Sequence, residues 1–358
     1  MTDDIILALS RYDTLGASSR VRMFQYIPHL RARGLTVQAA PLLSNRYVES
    51  LYRGRRPALA GLAADYARRL VELLSGNRRR TLWVEKELLP WLPFPLERLL
   101  YCRGGRLVVD YDDAVWLQYA ASSQAPVRAL LGHKIERVMR RADVVAAGNA
   151  WLADHARAAG ARRIELLPSV VDADHFPHAR GHAPADTFTI GWIGSPSTAH
   201  YLRQAAAPLA ALAARRRLRL LCIGIGKMEL PGVNVQCLPW SEALEAADIA
   251  RFDAGIMPLA DGPWERGKCG YKLIQYMACG VPAVASAVGA NLEIIEDGFN
   301  GLLVRDAADW ERVLERLMDD AGLRDALGAA GRRCVLERYS VQAQLDHLIS
   351  ILTGAAHQ

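Results

Sequence analysis

Two hydrophobic patterns alternate along this chain. Short, predominantly apolar runs occur at 5–10, 36–41, 81–86, 106–111, 143–148 and 164–167, and again at 188–194, 218–225, 233–238, 252–259 and 281–288. Runs of this length suit strands buried on both faces of a parallel sheet. Between them lie longer stretches whose apolar residues recur every three or four positions, as on one face of a helix. At 58–74 the residues Leu59, Leu62, Ala63, Tyr66, Leu70 and Leu73 have that spacing, and they predict a helix packing this face on a sheet. The alternation runs through 168, pauses at 168–187 among Pro, Gly, Asp and His, and restarts. It predicts an α/β protein of two Rossmann-like, doubly wound parallel-sheet domains, 1–168 and 169–338, with the hinge in the pause. Helices close the chain at 307–319, 323–338 and 341–352.

The pattern is densest at 252–304. A strand ending at Pro258 is followed by a loop of Gly262, Pro263, Trp264, Glu265, Arg266 and Gly267. A helix is predicted over 268–279, with Leu273, Ile274, Tyr276 and Met277 inward, stopped by Gly280 and Pro282. Open α/β sheets bind ligands at the carboxyl ends of their strands, and a helix N-terminus offers unbonded N–H groups and partial positive charge. Lys268 and Lys272 add two full charges in its first turns, which makes a diphosphate cradle or, equally, two solvated lysines.

The segments FDAGIMPL, KCGYKLIQYMACGVPAVAS and GANLEIIEDGFNGLLV within this stretch resemble the donor-site signature of group 1 (family 4) glycosyltransferases. These are retaining nucleotide-sugar enzymes built from two Rossmann-like domains facing a central cleft, the GT-B arrangement. The resemblance extends over nearly the whole chain. It implies a glycosyltransferase moving a sugar from a nucleoside diphosphate sugar to an acceptor hydroxyl, in surface polysaccharide or glycolipid synthesis. It also implies that the chain's end, 339–358, crosses back to the N-terminal domain. The implied partners are a nucleotide-sugar donor and a glycan or lipid-linked acceptor, with no nucleic acid and no metal or other cofactor, at the cytoplasmic membrane face. The rival readings are a non-catalytic sugar-nucleotide-binding protein and a nicotinamide enzyme. For the latter, Gly224-Ile-Gly226 is only a fragment of the fingerprint.

Carried onto this sequence, the resemblance places Lys272 on the donor diphosphate, with Gly194, Ser195, Ser197, Trp240, Lys268, Gly270, Tyr271 and Gln275 around the donor. Relatives hold the phosphates with an arginine and a lysine after the strand that ends here at Gly194. This chain has Ser195, Ser197 and Thr198 instead, which shifts weight onto Lys268 and Lys272. The family also sets two glutamates eight residues apart across the loop and helix. Gly267 and Gln275 occupy those places, with Glu265 nearby as a substitute carboxylate. Gln275 can still hydrogen-bond a ribose hydroxyl. Near the N-terminus, Gly16, Ser18, Ser19 and Arg20 lie on the loop that faces the acceptor in the family, and Ser18 or Ser19 can equally cap the helix that follows. Asp110, Asp112 and Asp113 end a predicted strand. Asp112 or Asp113 is the candidate catalytic or acceptor-orienting carboxylate, with a helix cap as the alternative.

Charge adds one asymmetry. Residues 1–168 hold 26 Lys/Arg against 16 Asp/Glu, a net of +10, and 169–358 hold 18 against 22, a net of −4, within an overall +6. A basic half predicts an anionic partner (membrane surface, phosphorylated acceptor or nucleic acid) or simply solvated helices. Tyr47, Leu51, Tyr52, Arg53, Arg55 and Arg56 before the 58–74 helix, and Arg78 to Arg80 after it, suit docking on anionic lipid. A basic helix is predicted at 127–141. The six cysteines, at 102, 222, 237, 269, 279 and 334, show no C-x-x-C spacing and suit a reducing compartment. His175, His178 and His182 fall in the pause and have no metal-ligand pattern. Acidic Asp3 and Asp4 before a short apolar run argue against a signal peptide, and no apolar run is long enough to span a bilayer.

Overall fold

A computed structural model describes residues 5–75, 80–101, 105–176 and 186–354. Arg78, Arg79, Cys102, His178 and His182 lie outside the described residues, as does the side chain of Tyr52. The chain divides into two units, residues 1–169 with 344–358, and 170–343.

The first unit holds strands β1 (Ile5–Leu9), β2 (Val37–Ala39), β3 (Arg80–Glu85), β4 (Arg106–Tyr111), β5 (Val144–Ala147) and β6 (Ile164–Leu166), in the spatial order β2-β1-β3-β4-β5-β6. Every pairing is parallel, for example Leu7 opposite Leu82 and Leu82 opposite Leu107. Leu7, Leu82, Val108 and Val144 are fully buried, as apolar runs covered by helices on both faces require. The helix Val341–Thr353 ends in this unit: Thr81 donates to the carbonyl of Leu352, and Arg106 to that of Ile351.

The second unit holds β7 (Phe188–Ile193), β8 (Leu218–Ile223), β9 (Val235–Leu238), β10 (Ala254–Met257), β11 (Ala283–Ser286) and β12 (Leu302–Val304), in the order β12-β11-β10-β7-β8-β9, again all parallel. Taken from β7, this is the Rossmann order. In each sheet the connections reverse direction at one place, β1/β3 in the first and β7/β10 in the second. Such switch points leave a crevice at the carboxyl ends of the strands.

Several expected elements differ from the observed ones. The helix expected over 268–279 is Tyr271–Ala278, preceded by a turn at Pro263–Arg266. Gly270 sits between them at φ +64, a left-handed conformation that stops either helix from running on, so Lys268 precedes the helix. The basic helix expected over 127–141 is two, Ala125–Leu131 and Lys134–Arg141. Neither Ser18 nor Ser19 caps a helix. Gly16 occupies the N-cap position, where an added Cβ would lie 2.3 Å from that of Tyr12.

The largest difference concerns the helix Leu59–Ser75. Leu62, Tyr66 and Leu73 turn inward as expected, but Leu59, Ala63 and Leu70 face solvent. Asp65 and Arg69 lie inside. Arg69 donates to the carbonyls of Ser10 (2.6 Å) and Ala40 (2.9 Å), and Asp65 accepts from Arg68 and the amide of Ser44. These bonds rotate the helix about its axis, away from the facing its apolar spacing suggests.

Among the described residues, burial takes acidic and basic side chains of this half alike. Arg22, Arg69, Arg80, Lys86 and Lys134 are buried, and so are Asp65, Glu85, Glu87, Glu97 and Asp110. Arg80, expected to be available to lipid, donates instead to the carbonyls of Glu72 and Leu73. Lys134 lies between Glu87 (2.6 Å) and Glu97 (2.8 Å). No helix among the described residues is long and apolar enough to cross a membrane.

Candidate active site

At the switch point of the first unit, Glu85 ends β3 and is fully buried. Its Oε2 accepts from the amide of Arg11 (2.8 Å) and from the Ser19 hydroxyl (2.5 Å), and Ser19 in turn accepts from the amide of Tyr12 (2.9 Å). The loop after β1 is thereby tied to the end of β3. The Ser18 hydroxyl lies 2.8 Å from Glu85 Oε1 and 2.5 Å from Asp112 Oδ2, and one proton serves both oxygens. Lys86 completes the group. It has φ +65, and its Nζ is 2.8 Å from Asp112, 3.1 Å from Ser18, and 3.8 Å from both Glu85 and Asp113.

Electrostatics decide the charge state of this group. Burial works against ionised Asp112, but Lys86 and Arg22, with the bonds from Lys86 and Ser18, outweigh it and bring its pKa down to about 2. Burial also opposes charge on Lys86, and Asp112, Asp113 and Glu85 overcome it, raising its pKa. Asp110 is held apart from this group, fully buried, in a two-point ion pair with Arg22 at 2.7 and 3.0 Å. It belongs to the core. Of the two candidate carboxylates, Asp112 has its oxygens engaged by Lys86 and Ser18, while Asp113 is the more exposed. Arg20 begins the helical turn Arg20–Phe24 and is half-buried.

The sequence reading missed Glu85 and Lys86 as site residues, although it placed them at a strand's end. A lysine there gives no sign that it will take a left-handed conformation and turn toward an aspartate 26 positions on.

At the switch point of the second unit, glycines let backbone and side chains approach closely. A Cβ on Gly255 of β10 would lie 2.4 Å from the Tyr276 ring. Tyr276 is fully buried. Its hydroxyl accepts from the amide of Ile193 (3.1 Å) and donates to the carbonyl of Ile256 (3.2 Å), fixing the Tyr271–Ala278 helix across β7 and β10. Lys272 on the first turn then reaches the end of β7. Its Nζ lies 5.4 Å from the centre of the Trp192 ring, and a Cβ on Gly194 would be 2.9 Å from its Cε. A Cβ on Gly224 would lie 2.3 Å from the Gly194 carbonyl and 3.5 Å from the Cβ of Trp240. Gly194, Gly224, Trp240 and Lys272 thus meet beyond the carboxyl ends of β7, β8 and β9.

The remaining donor candidates form two further groups. Ser195 and Ser197 share a hydroxyl–hydroxyl bond of 2.8 Å. Lys268 lies over the rings of Tyr201 (5.9 Å) and Trp264 (5.7 Å), and the Tyr201 hydroxyl donates to Glu265. Gly270 precedes half-buried Tyr271, and a Cβ there would meet Ile294 at 2.3 Å. Gln275 is buried and donates to Glu245 (2.6 Å), the same oxygen that accepts from Trp240 Nε1 (2.8 Å). Glu245 was not singled out from the sequence, and nothing local announces a partner 30 residues away. A 360 Å³ cleft in this unit, lined by Asp261, Ser286, Arg305 and Trp310, includes none of the expected donor residues.

Comparison with known proteins agrees with this architecture. Residues 187–320 match the family model for glycosyl transferases group 1. The chain is similar to the D-inositol 3-phosphate glycosyltransferase of Geodermatophilus obscurus, 31% identical over 153 residues, covering 41% of this chain and 30% of the relative. It is also similar to the enzyme of the same name from Actinosynnema mirum, 29% identical over 235 residues, covering 58% of this chain and 56% of the relative. The chain therefore spans between about a third and just over half of the length of these curated relatives. Among solved structures, Anabaena HepE in complex with UDP and glucose superposes with a TM-score of 0.70 at 15% identity, over 98% of this chain and 100% of that one. Residues 187–320 thus match the group 1 glycosyl transferases, and the two six-stranded parallel sheets have the GT-B fold.

Proposed function

We propose that this protein transfers a sugar from a nucleoside diphosphate sugar to an acceptor hydroxyl, with retention at the anomeric carbon. Residues 169–338 would hold the donor, and residues 1–168 a glycan or lipid-linked acceptor. The observation that carries the donor side is Lys272, on the first turn of its helix and against Gly194 at the β7/β10 switch point. When the bond between the anomeric carbon and the diphosphate oxygen breaks, the electron pair leaves with the diphosphate. A fixed ammonium and the N–H groups of a helix N-terminus stabilise that growing charge. The acceptor hydroxyl forms the new bond to the anomeric carbon and gives up its proton to the departing diphosphate oxygen. Asp113, the more exposed carboxylate beside Lys86, is the group in the first unit we assign to orient that hydroxyl.

Gln275 and Trp240 are joined through Glu245, so the carboxylate at this place comes from the helix Glu245–Ile249. The biological setting consistent with this reading is surface polysaccharide or glycolipid assembly at the cytoplasmic membrane face. The test is turnover of nucleotide sugars by the purified protein and by Lys272→Ala. Loss of one preorganised donor lowers kcat/KM by about 10²–10³-fold. Donor binding without turnover in the unaltered protein would favour a sugar-nucleotide-binding protein instead, and unchanged kcat/KM in the variant would remove Lys272 from the chemistry.

A further inference from the structure

The helix Leu59–Ser75 carries an apolar stripe on its outside. Leu59, Ala63, Ala67, Leu70, Val71 and Leu74 follow one another at helical spacing, and all are exposed, Leu59 at 82% and Val71 at 64%. Together they span about a third of the helix circumference with no charged residue among them. Arg68 is the one charged side chain on the exposed part of this helix. It lies beside the stripe and is bonded to Asp65. A surface helix ordinarily shows its polar side to water, so a continuous exposed stripe of this length marks a surface that something covers.

The rotation producing this stripe is not loose packing. Arg69 is anchored to Ser10 and Ala40, and Tyr66 donates to the carbonyl of Pro90 (2.7 Å). These bonds hold the inner face, and the stripe stays outside. The segment entering the helix supplies the second observation. Arg53, Arg55 and Arg56 are exposed and lie within six residues of Leu59. The acidic side chain bonded among them is Glu49, 3.5 Å from Arg53. Glu72, near the far end, is half-buried and accepts from Gln38.

We infer that this stripe seats in the interfacial layer of a lipid bilayer, with Arg53, Arg55 and Arg56 on anionic headgroups. An apolar stripe without charge, flanked by arginines, matches the two layers of such a surface: acyl chains at the boundary and phosphate above them. The inference stands apart from the glycosyl transfer reaction, since it rests on one helix and the turn before it.

The test is sedimentation of the full chain with vesicles of phosphatidylcholine alone and of phosphatidylcholine with about one-third phosphatidylglycerol. The anionic vesicles are expected to take the protein down at low salt and release most of it at high salt, because salt screens the arginine contacts. Arg53→Glu/Arg55→Glu/Arg56→Glu should weaken partition on the order of a hundredfold, at about fivefold per arginine. Val71→Glu/Leu74→Glu should weaken it by at least about tenfold with the arginines intact, while leaving the unfolding midpoint and nucleotide binding unchanged. Absence of binding to the anionic vesicles, or binding indifferent to both variants, overturns the proposal. So does a dimer in solution that Val71→Glu/Leu74→Glu dissociates, since that assigns the stripe to a second copy of the chain.

Discussion

The helices Leu59–Ser75 and Tyr271–Ala278 have the same kind of amphipathic spacing and opposite facing. In Tyr271–Ala278 the apolar residues Leu273, Ile274, Tyr276 and Met277 are all fully buried. In Leu59–Ser75 half of the expected apolar face looks outward, and an arginine and an aspartate look in. Polar anchoring separates them. The inward helix has an anchor on its apolar side, the Tyr276 hydroxyl bonded to β7 and β10. The other helix has its anchor at Arg69, bonded to two carbonyls that would otherwise lose a partner. A hydrogen bond from a charged donor contributes about 1.5–3 kcal/mol, comparable with what burying one leucine contributes, so a few bonds can decide the rotation.

The comparison can be broken most forcefully at Tyr276. Tyr276→Ala removes a buried ring from over Gly255 together with both of its hydrogen bonds, and should cost about 3–5 kcal/mol in urea unfolding. A loss under about 1 kcal/mol would mean that the helix is held elsewhere.

Arg69→Ala should follow at about 2–3 kcal/mol, from the lost charged bonds to the carbonyls of Ser10, which keeps the amide of Leu42, and of Ala40. If Arg69 sets the facing of its helix, the variant should also increase hydrogen exchange in the loop after β1 as well as in the helix. Protection unchanged in both would show the rotation to be fixed by Tyr66 and Leu73 alone.

Asp112 sharpens the comparison for buried charge. Burial lowers the pKa of Arg69 to about 10, whereas Asp112 is surrounded by partners and is held at about 2, below the ordinary carboxylate value. A carboxyl pKa depressed on folding stabilises the fold above the unfolded value, near 4, and that stabilisation fades as pH falls toward 2. Asp112→Asn should therefore cost about 2 kcal/mol at neutral pH, with the gap to the unaltered protein closing between about pH 4 and pH 2. A gap independent of pH would place its cost in lost packing instead.

The smallest effect belongs to the outer stripe. Leu74→Ser should change stability by no more than about 0.5 kcal/mol, because Leu74 is exposed. A cost near 2 kcal/mol would show that the stripe is covered in the dissolved protein.

The sequence by itself determined the strands and their class. Apolar runs such as Leu107–Val109 and Ala283–Ala285 have few stable alternatives to a doubly covered parallel sheet, and a βα alternation that restarts at 188 makes two such sheets. It also located Lys272, because a strand, a glycine loop and a helix in succession put that position at the carboxyl end of a sheet. Contacts made over long sequence distances were decided only in the tertiary structure. Lys86 meets Asp112, and Gln275 meets Glu245, across 26 and 30 positions, and neither partner is marked by periodicity. The facing of Leu59–Ser75 is of the same kind. Hydrophobic spacing is a property of one segment, but the carbonyls that claim Arg69 belong to the ends of two strands, and they acquire a position relative to the helix only when the sheet has formed.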